Sequence, residues 1–333
     1  KTYTIKKTAI TDFTTFIGPK KHVHTITRAD VAGWFQHLRK EGVATPTLTS
    51  KQSYIGGRFG FFTWAMASGC YPQGDNPATG HVTYGAQEKR RRRKLGFQPY
   101  TLEQVRALFD AEAMANLAFY TRWAAMIGVY AGARAAEVGQ LSILDVLDEG
   151  DGLWSLRFTD EGEDQRLKNE ASQRITPVHP DLLTLGFLDL VQTHREASQW
   201  RLFPNGDPKA LNGAGNWISK SFSRHLAEVG KDWPAAKRGF HSFRKTVIQE
   251  LQGKGVAAEM RAQLVGHELE GEHFEAYSRT FTPTEKMHGA RHPDFQSPGL
   301  AVLDYGLDLA ALAPLLAPTE DNLKPARGRP RKR

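Results

Sequence analysis

The chain has one cysteine, Cys70, in 333 residues. An intramolecular disulfide and a multi-cysteine zinc site are therefore excluded. A reducing, cytoplasmic setting is expected. Cys70 follows Gly69 at the end of an apolar helical pattern, which predicts a core or boundary thiol. No apolar run approaches the ~20 residues of a membrane span, so no membrane partner is expected. No basic-then-apolar leader opens the chain. Acidic residues are missing from two segments in particular. Lys89 to Lys94 holds six basic residues, and Lys324 to Arg333 holds six more. Setting those twelve aside from the 44 basic residues leaves 32, fewer than the 36 acidic ones. The net charge of +8 is thus concentrated in two short runs, a pattern suited to nucleic acid.

What remains is ordinary for a globular protein, with 40% hydrophobic and 24% charged residues. The length allows two domains with cores of their own. Residues 1–86 read as a small helical domain. Thr27 is placed to cap a helix with Val31, Trp34, Phe35 and Leu38 on one face, ending near Gly42. A second helix is expected to carry Ile55, Phe59, Phe62 and Met66 and to end near Gly69. Residues 87–98 form a basic linker. A second domain follows over 99–296, opened by a capping box at Thr101 and Gln104. An apolar helix is expected from about Leu117 to Tyr130. Trp154, Leu156 and Phe158 alternate as a strand, with Arg174 to Val178 as its partner. Helices are expected at Asn216 to Val229, from His241 through Leu251, and from Ala257 to Val265, the last stopped by Gly266. The fold class is mostly α with a small β-hairpin or sheet. Residues 297–323 add a C-terminal helix, with Leu300, Leu303, Leu307, Ala310 and Ala311 at helical spacing.

Several groups suited to phosphodiester chemistry recur in the second domain. Gly132-Ala133-Arg134-Ala135-Ala136-Glu137 lies after the apolar helix. His241-Ser242-Phe243-Arg244 opens a helix, so His241 and Arg244 share a face at its positive end. Gly266-His267 and Tyr277 follow. Arginines clamp phosphate oxygens by two-point hydrogen bonding. Histidines move protons near neutral pH, and a tyrosine is a possible covalent nucleophile. His267 and His273 lack a third ligand at a recognisable spacing, so no metal is expected.

The order and spacing of these boxes resemble the catalytic domain of the tyrosine recombinases, also called the phage integrase family. The match covers Arg134 and Glu137, His241 and Arg244, His267, and Tyr277 as nucleophile. Lys245 after Arg244 and Glu268 after His267 depart from the common pattern without removing a proposed catalytic group. The resemblance implies a helical core-binding domain ahead of a mixed α/β catalytic domain. It implies attack by Tyr277 to give a 3′-phosphotyrosyl link and a free 5′-hydroxyl, with no cofactor. It also implies a lysine on or near a hairpin. Lys168 is the match, flanked by Arg166 and Arg174, and the sequence leaves the hairpin register open. Glu137 is expected to fix the turn or Arg134.

The implied function is site-specific recombination or integration for a mobile element, at specific sites on double-stranded DNA, in a bacterial nucleoid. A homo-tetramer on synapsed DNA is expected, with residues 297–323 docking in trans or, alternatively, on their own domain. Arg90, Arg91, Arg92 and Arg93 are candidate DNA contacts. So are Arg327, Arg329 and Arg331 of the 324–333 tail, which resembles an AT-hook. The competing readings are a type IB topoisomerase-like enzyme and a non-catalytic architectural DNA-binding protein. Tyr305 is the fallback nucleophile.

Overall fold

The computed structural model describes residues 2–85, 96–207, 209–210, 213–268, 279–292 and 295–323. Two compact units divide the chain, Lys1–Lys94 and Leu95–Arg333.

The first unit is all-helical: α1 (Thr2–Ile17), α2 (Arg28–Lys40), α3 (Thr45–Gly56) and α4 (Phe61–Ala67). Thr27 caps α2 by accepting from Asp30 N–H, and the Asp30 carboxylate accepts from Thr27 N–H at 2.7 Å. Such a cap is worth about 1 kcal/mol. Val31, Trp34, Phe35 and Leu38 are all buried. Phe13 of α1 meets Trp34 edge-on at 5.2 Å, and Leu48, Ile55 and Phe62 complete this core. The second helix expected from the sequence is two helices. Phe59, assigned to its buried stripe, is 77% exposed. Glycines bracket the break: a Cβ on Gly57 would lie 2.6 Å from Ser53 O, and one on Gly60 would lie 2.8 Å from Gly57 N. Cys70 is exposed rather than packed, because Gly69 at φ +71° turns the chain off the end of α4.

The second unit starts with α5 (Leu102–Leu108), α6 (Ala111–Ala115) and α7 (Phe119–Ala131). Thr101 and Gln104 form the reciprocal cap of α5. Helix α7 is buried almost all round and contacts α11 (Asn216–Val229) and α12 (Phe240–Gly253). Between them come α8 (Ala135–Gly139), a three-stranded antiparallel sheet, α9 (Pro180–Thr184) and α10 (Phe187–Glu196). The sheet order is β1 (Val146–Gly150), β2 (Leu153–Phe158), β3 (Arg174–Pro177), and Phe158 pairs with Arg174. Strand β1 was absent from the sequence reading because only Val146 is buried; Asp148, Glu149 and Gly150 face solvent. Then follow α13 (Ala258–Val265), α14 (Pro283–His288), β4 (Ala290–His292) and β5 (Phe295–Ser297).

Residues 299–313 do not form one helix. A short turn at Leu300–Val302 precedes extended chain, Gly306 sits at φ +61°, and Asp308 caps α15 (Leu309–Leu316) through Ala311 N–H. This segment packs on its own unit. Leu312 and Leu316 are buried. Arg106 donates to Tyr305 O at 2.8 Å, Arg122 to Leu315 O at 2.7 Å and Trp123 to Leu316 O at 2.9 Å.

Three core histidines carry a pH consequence. Burial lowers the pKa of His179, His194 and His225 below the ordinary histidine value. The unfolded chain therefore binds more protons in acid, so stability is full above about pH 6.5 and falls as pH drops through the folded values. The midpoint temperature of thermal unfolding should fall between pH 7 and 5. His194→Phe, which keeps the stack on Tyr120, should flatten that slope; an unchanged slope would mean His194 is not among the titrating groups.

Candidate active site

Arg244 organises the site. It lies in the first turn of α12 and is buried. Its guanidinium donates to Gly132 O at 3.2 Å, to Gly266 O at 2.6 Å and to Val265 O. One side chain thus ties the turn after α7, the start of α12 and the end of α13. Two of its five N–H groups remain for a ligand. Burial first, then Arg134 and Arg174, lower its pKa to about 9, so it stays charged at neutral pH.

The two carbonyl turns depend on glycine. Gly132 is left-handed at φ +59°, and a Cβ there would lie 2.9 Å from Val265 Cγ1. Gly266 closes α13 at φ +68°, with a Cβ 3.0 Å from the Arg174 side chain and Ala171 O. Arg134 and His267 follow these turns directly, which is how segments 133 residues apart share one face.

Glu137 sits between two arginines. Its Oε2 accepts from Arg134 N–H at 3.0 Å and from Arg174 Nη2 at 2.9 Å, and its Oε1 accepts from Arg134 Nη1. Although burial opposes it, the net effect of Arg174 and Arg134 holds the Glu137 carboxyl below the usual range. Arg174 is wholly enclosed. It stacks on Phe158 at 4.0 Å and donates to Leu264 O at 3.2 Å and Ser172 O at 2.9 Å. Strand β3 therefore supplies a structural arginine, which the sequence placed at the start of this strand and beside Lys168 but gave no role of its own. Its signal was parity: Arg174 and Thr176 share the inward face of β3, and both bond Leu264 O.

Glu137→Ala leaves Arg174 buried beside Arg134 and Arg244 with no counterion. Removing one partner of a buried pair costs about 3–5 kcal/mol, to be read by urea unfolding. Glu137→Leu combined with Arg174→Met should cost less than Glu137→Ala alone. A larger cost for the pair would contradict this account.

Lys168 is exposed on the connection from β2 to β3, residues 159 to 173. The flanking Arg166 lies on the same loop. Both exposed histidines feel this cation. Partial burial first, then Arg244 and Arg134, with Lys168 contributing, lower the pKa of His241 and of His267. Both are mainly neutral at pH 7 in the free chain, and a bound phosphate would raise them. His241 also meets Phe97 edge-on at 5.3 Å, a packing partner that the sequence did not reveal. Arg134, Arg244 and Lys168 thus lie within electrostatic reach of His241 and of His267. Tyr277 lies outside the described residues, as do His273, Arg90 to Arg93, and Arg327, Arg329 and Arg331. Tyr305 is in the core, its hydroxyl donating to Val129 O at 2.9 Å, and burial raises its pKa. No group of three or more metal-ligating side chains is present among the described residues.

This fold, a helical unit followed by a mostly helical unit with a small antiparallel sheet, has solved counterparts. The chain has the fold of lambda integrase. It superposes on a lambda integrase dimer bound to a COC′ core site with TM-score 0.57 and 14% identity, covering 83% of this chain and 73% of the other. A lambda integrase tetramer bound to a Holliday junction gives 0.56 and 16%, covering 80% and 71%. The XerH site-specific recombinase bound to difH substrate gives 0.50 and 17%, covering 74% and 66%. No family model matches the sequence, and no curated protein matches it. The likeness to lambda integrase is therefore one of fold, carried by backbone geometry at low sequence identity.

Proposed function

We propose that the chain is a tyrosine-type site-specific DNA recombinase, cutting and rejoining strands through a 3′-phosphotyrosyl intermediate. The observation that carries this reading is Arg244 bound to the Gly132, Val265 and Gly266 carbonyls, which ties the turn before Arg134 to the turn before His267. Glu137 is bonded by Arg134 and Arg174 and felt by Arg244, so one carboxylate stands against three guanidinium charges, an excess suited to a phosphodiester.

In this mechanism Arg134, Arg244 and His267 bind the non-bridging oxygens and stabilise the pentacoordinate state. The Tyr277 oxygen bonds to phosphorus and its proton passes to neutral His241. The bond from phosphorus to the 5′ oxygen breaks, and Lys168 gives that oxygen a proton. A 5′-hydroxyl from another strand reverses the step, so the phosphodiester energy is kept.

The partner is double-stranded DNA with paired recombination sites, in the service of a mobile element. The lambda integrase and XerH neighbours are bound to DNA, and one lambda integrase structure is a tetramer. Four copies on two sites are our reading for this chain too. The 297–323 segment was a candidate for trans docking; exchange would have to break its bonds to Arg106, Arg122 and Trp123. The basic runs at 89–94 and 324–333 would hold phosphates, the second with the minor-groove preference of an AT-hook.

The test is incubation with a nicked suicide substrate. A denaturation-resistant protein–DNA adduct is expected. Binding without an adduct would favour the architectural reading. Relaxation of supercoiled DNA without strand exchange would favour the topoisomerase-like one.

A further inference from the structure

Lys168 rides on a loop between strands, yet a general acid must meet the leaving oxygen in one geometry. The residue after it is held on both sides. Asn169 Oδ1 accepts from the Ser172 hydroxyl, and Asn169 Nδ2 donates to Glu268 Oε2 at 3.3 Å. Ser172 is buried, and its Oγ accepts from Arg134 Nη1 at 3.0 Å. The four side chains form one directional chain of hydrogen bonds, from Arg134 through Ser172 and Asn169 to Glu268. Only one orientation of the Asn169 amide satisfies both ends. Asn169 is also the extended residue, at φ −154°, that opens the Glu170–Ser172 turn.

We propose that Asn169 and Glu268 form a latch that positions Lys168 for proton transfer to the leaving 5′ oxygen. This rests on the role given to Lys168 above. Through Ser172 the latch ties the loop to the phosphate-binding Arg134. Through Glu268 it ties the loop to the turn that presents His267. Both are positioning residues: neither needs to touch DNA. Glu268, a departure from the common sequence pattern, thereby acquires a purpose.

The experiment measures single-turnover cleavage by the full chain on two nicked substrates, one with the ordinary 5′-bridging oxygen and one with sulfur there. A thiolate leaves without protonation, so sulfur removes the need for Lys168. Asn169→Ala and Glu268→Ala should each slow the oxygen substrate by about ten- to a hundredfold, the usual cost of a ~1 Å misplacement. Both should approach the parent rate on sulfur, and DNA affinity should be unchanged. Lys168→Ala combined with Asn169→Ala should be no slower than Lys168→Ala. Equal slowing on oxygen and sulfur would overturn the latch, because the defect would then lie in phosphate binding. Parent-like rates on oxygen would overturn it too. If Lys168→Ala itself gains nothing from sulfur, the role of Lys168 fails and the latch with it. Rescue of Lys168→Ala but not of Asn169→Ala would overturn the latch alone. Glu268 is exposed, so its variant is read free of any folding defect.

Discussion

Tyr277→Phe is expected to form no covalent adduct with nicked DNA while binding that DNA as the parent does. Only the attacking oxygen is lost, and the arginines and histidines proposed to hold the phosphate remain. Three tyrosines buried in the second unit are poor nucleophiles on physical grounds. Tyr305 is fully buried, with its hydroxyl donated to Val129 O, and burial raises its pKa. Tyr130 is buried and bonded to Asp181, which also raises its pKa. Tyr100 is buried behind Gly239 O, to which its hydroxyl donates at 3.1 Å. None can reach a duplex without unfolding the core. Tyr305→Phe should therefore keep full adduct formation. Denaturing electrophoresis after incubation decides the matter: an adduct from Tyr277→Phe would end the assignment.

Lys168→Ala is expected to slow cleavage by roughly two to four orders of magnitude, the range for loss of a positioned general acid. The departing 5′ alkoxide is strongly basic, so cleavage without a proton donor is slow. Among the described cationic groups, Arg134 and Arg244 are fixed by hydrogen bonds to Glu137 and to backbone carbonyls. Lys168 is exposed, and its charge is felt at both His241 and His267. Single-turnover rates on oxygen and 5′-sulfur substrates test this directly. A loss of the same size on both would move Lys168 from proton donor to phosphate contact.

Much of the site could be read from the sequence because its parts are local. His241 and Arg244 share the opening turn of α12, Glu137 follows Arg134 by one helical turn, and Gly266 stops α13 just before His267. The helix limits at Asn216 and Val229 were also legible, because the apolar stripe and the terminal Gly230 agree. What stayed hidden depends on contacts between distant segments. The carbonyls on Arg244 come from Gly132 on one side and from Val265 and Gly266 on the other, over a hundred positions away in sequence. The ion pair of Arg174 with Glu137 needs β3 to pack on α8. Strand β1 is mostly polar because it is a solvent-facing edge, and the break between α3 and α4 hangs on glycines whose close contacts are backbone to backbone. The apolar spacing over 299–313 was real, but it serves a turn, an extended run and a short helix.

Arg244 has three N–H groups committed to the backbone, so its remaining donors point in a direction fixed by the fold. The two non-bridging oxygens of a DNA phosphodiester are diastereotopic, because the sugars on either side are chiral, yet they differ little in reactivity in water. In a rigid cleft they are not alike. In the proposed mechanism Arg244 would meet one of them from that fixed direction, so the site would tell the two apart at an atom that carries no base sequence. Under the proposed mechanism, the face of the phosphorus open to attack would then be set by the fold rather than by base sequence.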